Sequence, residues 1–391
     1  MAPVGERAPA IGREAGALLA LDSADYVGPV TVTRLLERYE SPLRALEAAA
    51  RSPLLTRRQR QGVAAVRRGR TAEATARDAA ARARDEMPRG ARLVTCVDPA
   101  YPHRLRRLHH PPVVLWAWGP LAIDAPRTVA VVGTRRATRE ARGLAFEIGA
   151  GLARRGVRVV SGMAAGIDAA AHRGAASVGG ETVGVLGSGL RFTYPVENVR
   201  LYDRMRADGL LLTEFEPGER PVACNFPRRN RIVAALADAV VVVQAGPRSG
   251  ALLTVGHAID IGVDVMACPG PVSEPGSAGC HDLLRDGAGL VTSAEDVCRL
   301  LARSWGGEDV VDAPGPADSG DKGDPGPAAT VPAAWDPTEA AVLARLDVEP
   351  AALDELAGLG GGAAAVAGLL TRLELEGAVR GLPGCRYERC R

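Results

Sequence analysis

Residues 225–260 read NFPRRNRIVAALADAVVVVQAGPRSGALLTVGHAID. Three guanidiniums and an aromatic ring stand ahead of a helix, and the helix leads into a short apolar strand. Pro227 suits the first turn of a helix, and Ile232, Val233, Leu236 and Ala237 recur behind it at helical spacing. Arg228, Arg229 and Arg231 are therefore expected in the opening turns, where unpaired backbone N–H groups and the helix dipole add to side-chain charge. A phosphodiester chain suits such a cluster, with Phe226 free to stack on a base. The plainer reading is a solvated helix start with surface ion pairs, Phe226 stapling the helix to the core. Ala239 to Val243 reads as a parallel-sheet strand buried on both faces. Behind it Ser249 is a natural N-cap and Gly250 allows close backbone approach. Strand, turn and helix thus make a second anion cradle, at the carboxyl edge where open α/β sheets bind ligands.

The same order recurs upstream. Thr128 to Val132 is an apolar strand entering Gly133-Thr134-Arg135-Arg136-Ala137-Thr138 and a helix from about Arg139 to Arg155. Val157 to Val160 enters a turn running from Ser161 and Gly162 to Gly166, Ile167 and Asp168, then a helix carrying His172. Further strands are expected at Thr182 to Leu186, Leu210 to Leu212 and Val263 to Ala267. Strands alternating with helices predict an α/β fold, a doubly wound parallel sheet over roughly Pro126 to Leu300. A dinucleotide enzyme is the obvious rival, but Gly187-Ser188-Gly189 lacks the third glycine, and Arg135 follows Gly133-Thr134 where pyrophosphate would need a tight glycine turn. The only lysine, Lys322, stands far from any phosphate loop, which argues against ATP hydrolysis through a P-loop.

The segments VAVVGTRRAT, SGMAAGIDAAAH, GVLGSGL with YPVENVRL, TEFEPG, FPRRNRIVAALADAVVVVQA, RSGALLT and ACPGPVSEPGSAG follow one another in this chain. In this order they resemble the DNA-processing protein A family (DprA, also called Smf). The resemblance spans most of the chain. It implies an extended Rossmann-like domain that binds single-stranded DNA without sequence preference. It also implies protection of that DNA, loading of the recombinase RecA onto it in natural transformation or recombination, and a homodimer. By position, Arg135 matches the family arginine that grips backbone phosphate, and Phe226, Arg228, Asn230 and Arg231 match its DNA pocket. Arg229 falls at a less constrained point of the motif and is expected to face solvent. Ser161, Gly162, Gly166, Ser249 and Gly250 stand either as donors to phosphate or simply as turn-making residues. Asp168 is read as structural, because no partnered nucleophile accompanies it. Two departures stand out: Gln244 where many members have a glutamate, and Gly279-Cys280-His281 where members often have Gly-Thr-Asn.

Two other classes compete with this reading. One is a nucleotide-processing enzyme such as a lysine-decarboxylase-like phosphoribohydrolase. That group carries a PGGxGT motif with a catalytic glutamate, and Pro269-Gly270-Pro271 departs from it. The other is an interaction platform with a vestigial pocket, against which the arginines in both motif turns argue.

Outside the sheet, residues 1–92 are rich in alanine and arginine at helical spacing; the family resemblance implies that they form a small helical module of the SAM or helix-hairpin-helix kind. The arginine excess from Arg51 to Arg92 reads equally as a nucleic-acid face or a solvated helix surface. Within the expected Rossmann-like domain, 93–304, the segment Leu93 to Gly119 resembles the family's sheet-extending bridge. Residues 305–334 have the composition of a disordered linker. Residues 335–391 are expected to fold as a winged-helix-like domain, with helices from Asp336 to Leu346, Ala351 to Leu356 and Ala363 to Val379, then a small hairpin. With six arginines against nine acidic residues from Asp336 to Arg391, this domain suits partner contact better than a DNA duplex.

Composition sets the remaining bounds. A chain of 391 residues, 47% hydrophobic, holds more than one domain. A net charge of +2 means that any DNA affinity comes from a local patch. Seven cysteines without CxxC spacing fit reduced thiols in a cytoplasmic protein. Cys385 with Cys390, or Cys280 with His281, offer no four-ligand zinc set, so neither metal nor cofactor is expected. No signal peptide or long apolar run points to membrane insertion.

Overall fold

The computed structural model describes residues 11–306 and, beyond them, 346, 351–352, 356, 366, 369–370, 373, 379–382 and 386–389. Two units are distinguished, Met1–Ala317 and Asp318–Arg391.

The first unit opens with five helices: α1 (Arg13–Asp22), α2 (Pro29–Tyr39), α3 (Pro42–Ala49), α4 (Arg57–Arg67) and α5 (Ala72–Glu86). Small residues let α1 and α5 approach closely, Gly16 lying against the backbone of Ala76. Thr56 and Gln59 close a capping box at the start of α4. Leu18, Leu21, Leu35 and Leu46 fill this layer and meet Trp116, Tyr202 and Leu211 of the sheet region in one continuous core.

The sheet follows. Its elements are β1 (Ala91–Thr95), β2 (Val114–Trp118), β3 (Thr128–Val132), α6 (Arg139–Arg154), β4 (Arg158–Ser161), α7 (Ile167–Ser177), β5 (Thr182–Val185), α8 (Val199–Asp208), β6 (Leu210–Thr213), α9 (Asn225–Leu236), β7 (Ala239–Val242), α10 (Ala251–Asp260), β8 (Asp264–Ala267), α11 (Ala278–Arg285), β9 (Gly289–Leu290) and α12 (Ala294–Leu301). Among the described residues the strand order is β1-β2-β6-β5-β4-β3-β7-β8-β9. The run from β6 to β9 is parallel, and β1 and β2 extend it antiparallel. Strand alternation divides the core. Val129 and Val131 pack with α6, α7 and α12 on one face, while Ala130 and Val132 pack with α9, α10 and α11 on the other. The chain turns to opposite faces after β3 and after β7, so the crevice beyond their carboxyl ends is the topological switch point of the sheet.

The doubly wound sheet stands where the apolar runs placed it, with boundaries shifted by a residue or two. Helix α9 starts at Asn225, so Pro227 lies in its first turn as expected. One local expectation needs correction. Gly250, not Ser249, occupies the N-cap position of α10.

In the second unit, β10 (Ala351–Ala352), β11 (Val379–Leu382) and β12 (Arg386–Arg389) pair antiparallel in the order β10-β12-β11. Leu346, Leu356, Val366, Leu370 and Leu373 are helical and pack with Val379. Ala351 and Ala352 therefore belong to a strand, not to the start of the expected second helix; their pairing with Tyr387 and Arg386 decides it. The expected linker beyond Gly306, the helix before Leu346, and Cys385 and Cys390 lie outside the described residues.

Candidate nucleic-acid interface

A cavity of about 830 Å³ occupies the switch-point crevice. Its walls are the 133–136 loop after β3, the first turns of α9, and the 246–250 loop after β7. Arg135, Arg136 and Arg248 stand at its rim, exposed, and Arg229 lies in its floor, buried. Four guanidiniums converge here against one acidic side chain of the lining, Asp168.

The rim carries a ladder of planar groups. The Arg135 guanidinium carbon lies 5.1 Å from the centre of the Phe226 ring, and the Tyr194 ring lies 5.3 Å beyond, tilted by 38°. Phe226 rests on Gly187, where a Cβ would come within 2.6 Å of its Cδ1. The half-buried ring is thus fixed from below while Tyr194 and Arg135 remain open to solvent. Such a ladder presents cation and π faces to a base without reading its edge.

The loop holding Arg135 is fixed from both sides. Thr134 N donates to Gln244 O at 2.8 Å, and Thr138 N donates to Gln244 Oε1 at 3.0 Å. Gly166, at φ 81°, backs the loop; a Cβ there would meet the carbonyl oxygen of Arg135 at 2.7 Å. Ile167 N donates to Thr134 O at 3.4 Å.

Under the floor lie two buried side chains of opposite charge, Asp168 and Arg229, which act on each other electrostatically while each is held by its own local partners. Asp168 Oδ2 accepts from Gly162 N at 3.0 Å and Ala164 N at 3.4 Å. Arg229 donates to the carbonyls of Gly162 and Val185 and to Asn230 Oδ1 at 3.2 Å. Asn230 Nδ2 reaches Gly250 O at 3.3 Å, tying α9 to the α10 turn. Burial drives the Asp168 carboxyl above its usual range, with Arg229 and the two amides pulling it down. Burial likewise lowers the Arg229 guanidinium, with Asp168 opposing.

Arg228 and Arg231 project to the other side of α9. Both pair with Glu214 Oε2, at 2.9 and 2.5 Å. They line a separate cavity of about 540 Å³ with Asp22, Gly28 and Pro29 of the helical layer. The structure therefore brings Arg135, Gly162, Phe226, Asn230, Ser249 and Gly250 around one cavity and places Arg228 and Arg231 elsewhere. Ser161 lies outside the lining, its hydroxyl donating to Val131 O at 2.6 Å. The Gly162 amide is occupied by Asp168, and Gly166 supports the loop from behind. The expectation that Arg229 faces solvent is overturned: it is 4% exposed. Sequence reading also passed over Arg136, Tyr194 and Arg248. Helical spacing held the missing signal, since Phe226, Arg229 and Asn230 stand at i, i+3 and i+4, and Arg228 and Arg231 at i and i+3.

Among the described residues, no cluster of three His, Cys, Asp or Glu side chains is placed to hold a metal. Cys280 Sγ donates to Val242 O, and His281 Nε2 lies 3.0 Å from Gly270 O. No described helix is long and apolar enough to cross a membrane.

Comparison with known proteins gives concordant matches. The DNA recombination-mediator protein A family matches residues 92–302, and the DprA winged helix domain matches 326–385. Protein Smf of Synechocystis is 34% identical over 327 residues, covering 78% of this chain and 82% of that protein. A DprA of Mycobacterium tuberculosis is 48% identical over 228 residues, 55% of this chain and 59% of its own length, so the chain spans little more than half of that relative. The solved structure of DNA processing protein A from Streptococcus pneumoniae aligns with a TM-score of 0.61 at 32% identity, covering 74% of this chain and 98% of that one. That of Helicobacter pylori, which concerns its single-stranded DNA binding mode, aligns at 0.50 and 29% identity, covering 54% and 96%.

Proposed function

The chain belongs to the DNA recombination-mediator protein A (DprA/Smf) family, and on that premise we propose that its switch-point cavity holds single-stranded DNA by the backbone. The carrying observation is the Arg135–Phe226–Tyr194 ladder above four converging guanidiniums. Arginines neutralise phosphates irrespective of sequence, and the two rings offer π faces that every base can use. Arg135, Arg136 and Arg248 grip phosphate, Phe226 and Tyr194 stack, and Ser249 and Gly250 offer hydroxyl and amide donors at the start of α10. Gly162, Gly166, Ser161, Arg229 and Asn230 hold this surface in shape. Arg228 and Arg231, engaged by Glu214, contribute to its electrostatics from the flank.

The role is that of a binder and not an enzyme: Asp168, the one acid in the lining, has its Oδ2 engaged by two amides. In the cytoplasm the chain protects incoming single-stranded DNA and passes it to RecA in natural transformation or recombination, as the family resemblance implies. It acts as a homodimer, for which Ile259 of α10 and Leu290 of the edge strand β9, 64% and 58% exposed, supply apolar surface. Fluorescence anisotropy of a labelled oligonucleotide tests the binding: salt-sensitive affinity for single strands, lost in Arg135→Ala, is expected. Sequence-dependent binding, or affinity that Arg135→Ala retains, refutes it. Strand exchange by RecA on protein-coated DNA tests loading, and sedimentation of Ile259→Asp/Leu290→Asp tests the dimer.

A further inference from the structure

From Ala48 to Ala72 the chain holds seven arginines and no acidic residue. A solvated helix surface ordinarily mixes signs along its length. Three of the seven are engaged locally: Arg60 donates to Ser52 O, Arg67 to Glu47 O and Arg70 O, and Arg70 pairs with Asp78. Arg51, Arg57, Arg58 and Arg68 are exposed, and their guanidiniums hold no hydrogen bond or ion pair among the described residues. Arg57 and Arg68 mark the two ends of α4, about 16 Å apart.

This surface joins the flank of the DNA cavity. Gln59, in the first turn of α4, donates through Nε2 to Tyr26 O at 3.1 Å and Thr31 Oγ1 at 3.2 Å, clasping the turn that contains Gly28 and Pro29. Gly28 and Pro29 line the same 540 Å³ cavity as Arg228. Arg228 is half-exposed on α9, directly after Phe226 and Pro227, which face the other way into the candidate interface. The turn that Gln59 clasps also carries Tyr26, which is 69% exposed. Asp22, Glu214, Glu216 and Glu219 line the intervening cavity, Asp25 lies against α4 at Gly62, and Glu86 lines a cavity with Arg68.

We infer that the α4 arginines form a second backbone-binding surface, which takes the single strand as it leaves the switch-point cavity past Arg228. The inference rests on the proposed single-strand binding of that cavity. Arg57 and Arg58 neutralise phosphates beyond the reach of Arg135, Tyr26 stacks on an intervening base, and Arg68 meets the strand at the far end of α4. A convex helical layer of this kind reads no base edge, so its contribution is independent of sequence.

The test compares an oligothymidylate of about 6 nucleotides, enough for the cavity, with one of about 30, which reaches both surfaces. Full-length wild type is titrated against Arg57→Glu/Arg58→Glu and against Arg68→Gly. Glutamates in the first turn of α4 complement the helix dipole, and glycine suits the left-handed position of Arg68, φ 47°. The fold is therefore kept in both, as thermal melting will verify. The expected result is unchanged affinity for the short strand and at least tenfold weaker binding of the long one by the double variant, with a salt slope shallower by about 1.4 for two phosphates released. A smaller loss in the same direction is expected for Arg68→Gly. Equal affinity of wild type and variants for the long strand overturns the inference, as does a loss confined to duplex DNA. Failure of the wild type to bind the short strand instead refutes the cavity assignment on which it stands.

Discussion

Arg135 and Phe226 form one unit: the guanidinium carbon sits 5.1 Å from the ring centre although one residue lies on the loop after β3 and the other in the first turn of α9. The ring is seated on Gly187 and the arginine loop is held by Gln244, so the two planes meet because two separate backbones are fixed. The partners should fail differently. Arg135→Ala removes a phosphate contact, and the salt slope of single-strand binding falls by about 0.7. Phe226→Ala removes stacking worth about 1–3 kcal/mol and leaves the slope unchanged. Titration at several salt concentrations separates the two, and identical slopes for both variants would contradict this division of roles.

Arg229 is a matter of stability before it is one of binding. Its guanidinium faces Asp168 and two backbone carbonyls in a site closed to water. Removing the guanidinium leaves two buried carbonyls without a donor, at about 1–3 kcal/mol each, and the Asp168 carboxyl without its neighbouring positive charge. Arg229→Leu should therefore unfold at markedly lower denaturant than wild type, and adding Asp168→Asn should recover part of the loss. Gly162→Ala should also destabilise, since its methyl would enter the space of the guanidinium. An Arg229→Leu midpoint equal to wild type would show that the site is open to water.

What the sequence made legible follows from the range of each interaction. The parallel strands announced themselves as short apolar runs, because burial on both faces is written into every consecutive residue of β3 and β7. Gly133 and Gly166 were visible as turn residues, but not that they press on Ile167 and on the Thr134–Arg135 carbonyls, which are tertiary contacts. The arginines of α9 were legible as a cluster and misassigned by face. Glu214, eleven residues before Asn225 in sequence, claims Arg228 and Arg231, and the 162–168 turn claims Arg229. Charge density is a property of sequence, whereas the choice among neighbouring guanidiniums belongs to the acids and carbonyls that folding delivers.

Gln244 offers a probe of electrostatics without rearrangement. Its backbone oxygen holds Thr134 N and its Oε1 holds Thr138 N. Glutamate keeps the acceptor oxygen and adds a negative charge behind the Arg135 loop. Gln244→Glu is expected to melt within a few degrees of wild type and to bind single strands several-fold more weakly at low salt, the difference shrinking as salt rises and screens the charge. Gln244→Ala, which abandons the Thr138 amide, should instead weaken binding at every salt concentration. If Gln244→Glu binds more tightly than wild type, the charge behind the loop does not act on the strand.

Asp22 provides the pH dependence. It ends α1 beside Glu214, Arg228 and Arg231, and its carboxyl is raised from 3.8 to about 6, first by burial, then by Glu214, with Arg228 opposing. A carboxyl raised on folding is protonated more readily in the native state, so its contribution to stability is fully present below about pH 4. It is lost progressively as pH rises through 6. Above pH 6 the folded protein carries an unfavourable buried charge at the contact between the helical layer and α9, costing on the order of 1–2 kcal/mol after allowance for water in the cavity. Asp22→Asn removes that cost. The variant should melt above wild type at pH 7.5, and the gap should close as pH falls from 6 toward 4, where the native carboxyl is neutral in both states. Carboxylates elsewhere cancel in the difference, which isolates this one group. A variant less stable than wild type at pH 7.5 would mean that attraction to Arg228 and Arg231 outweighs burial, reversing the sign of the effect.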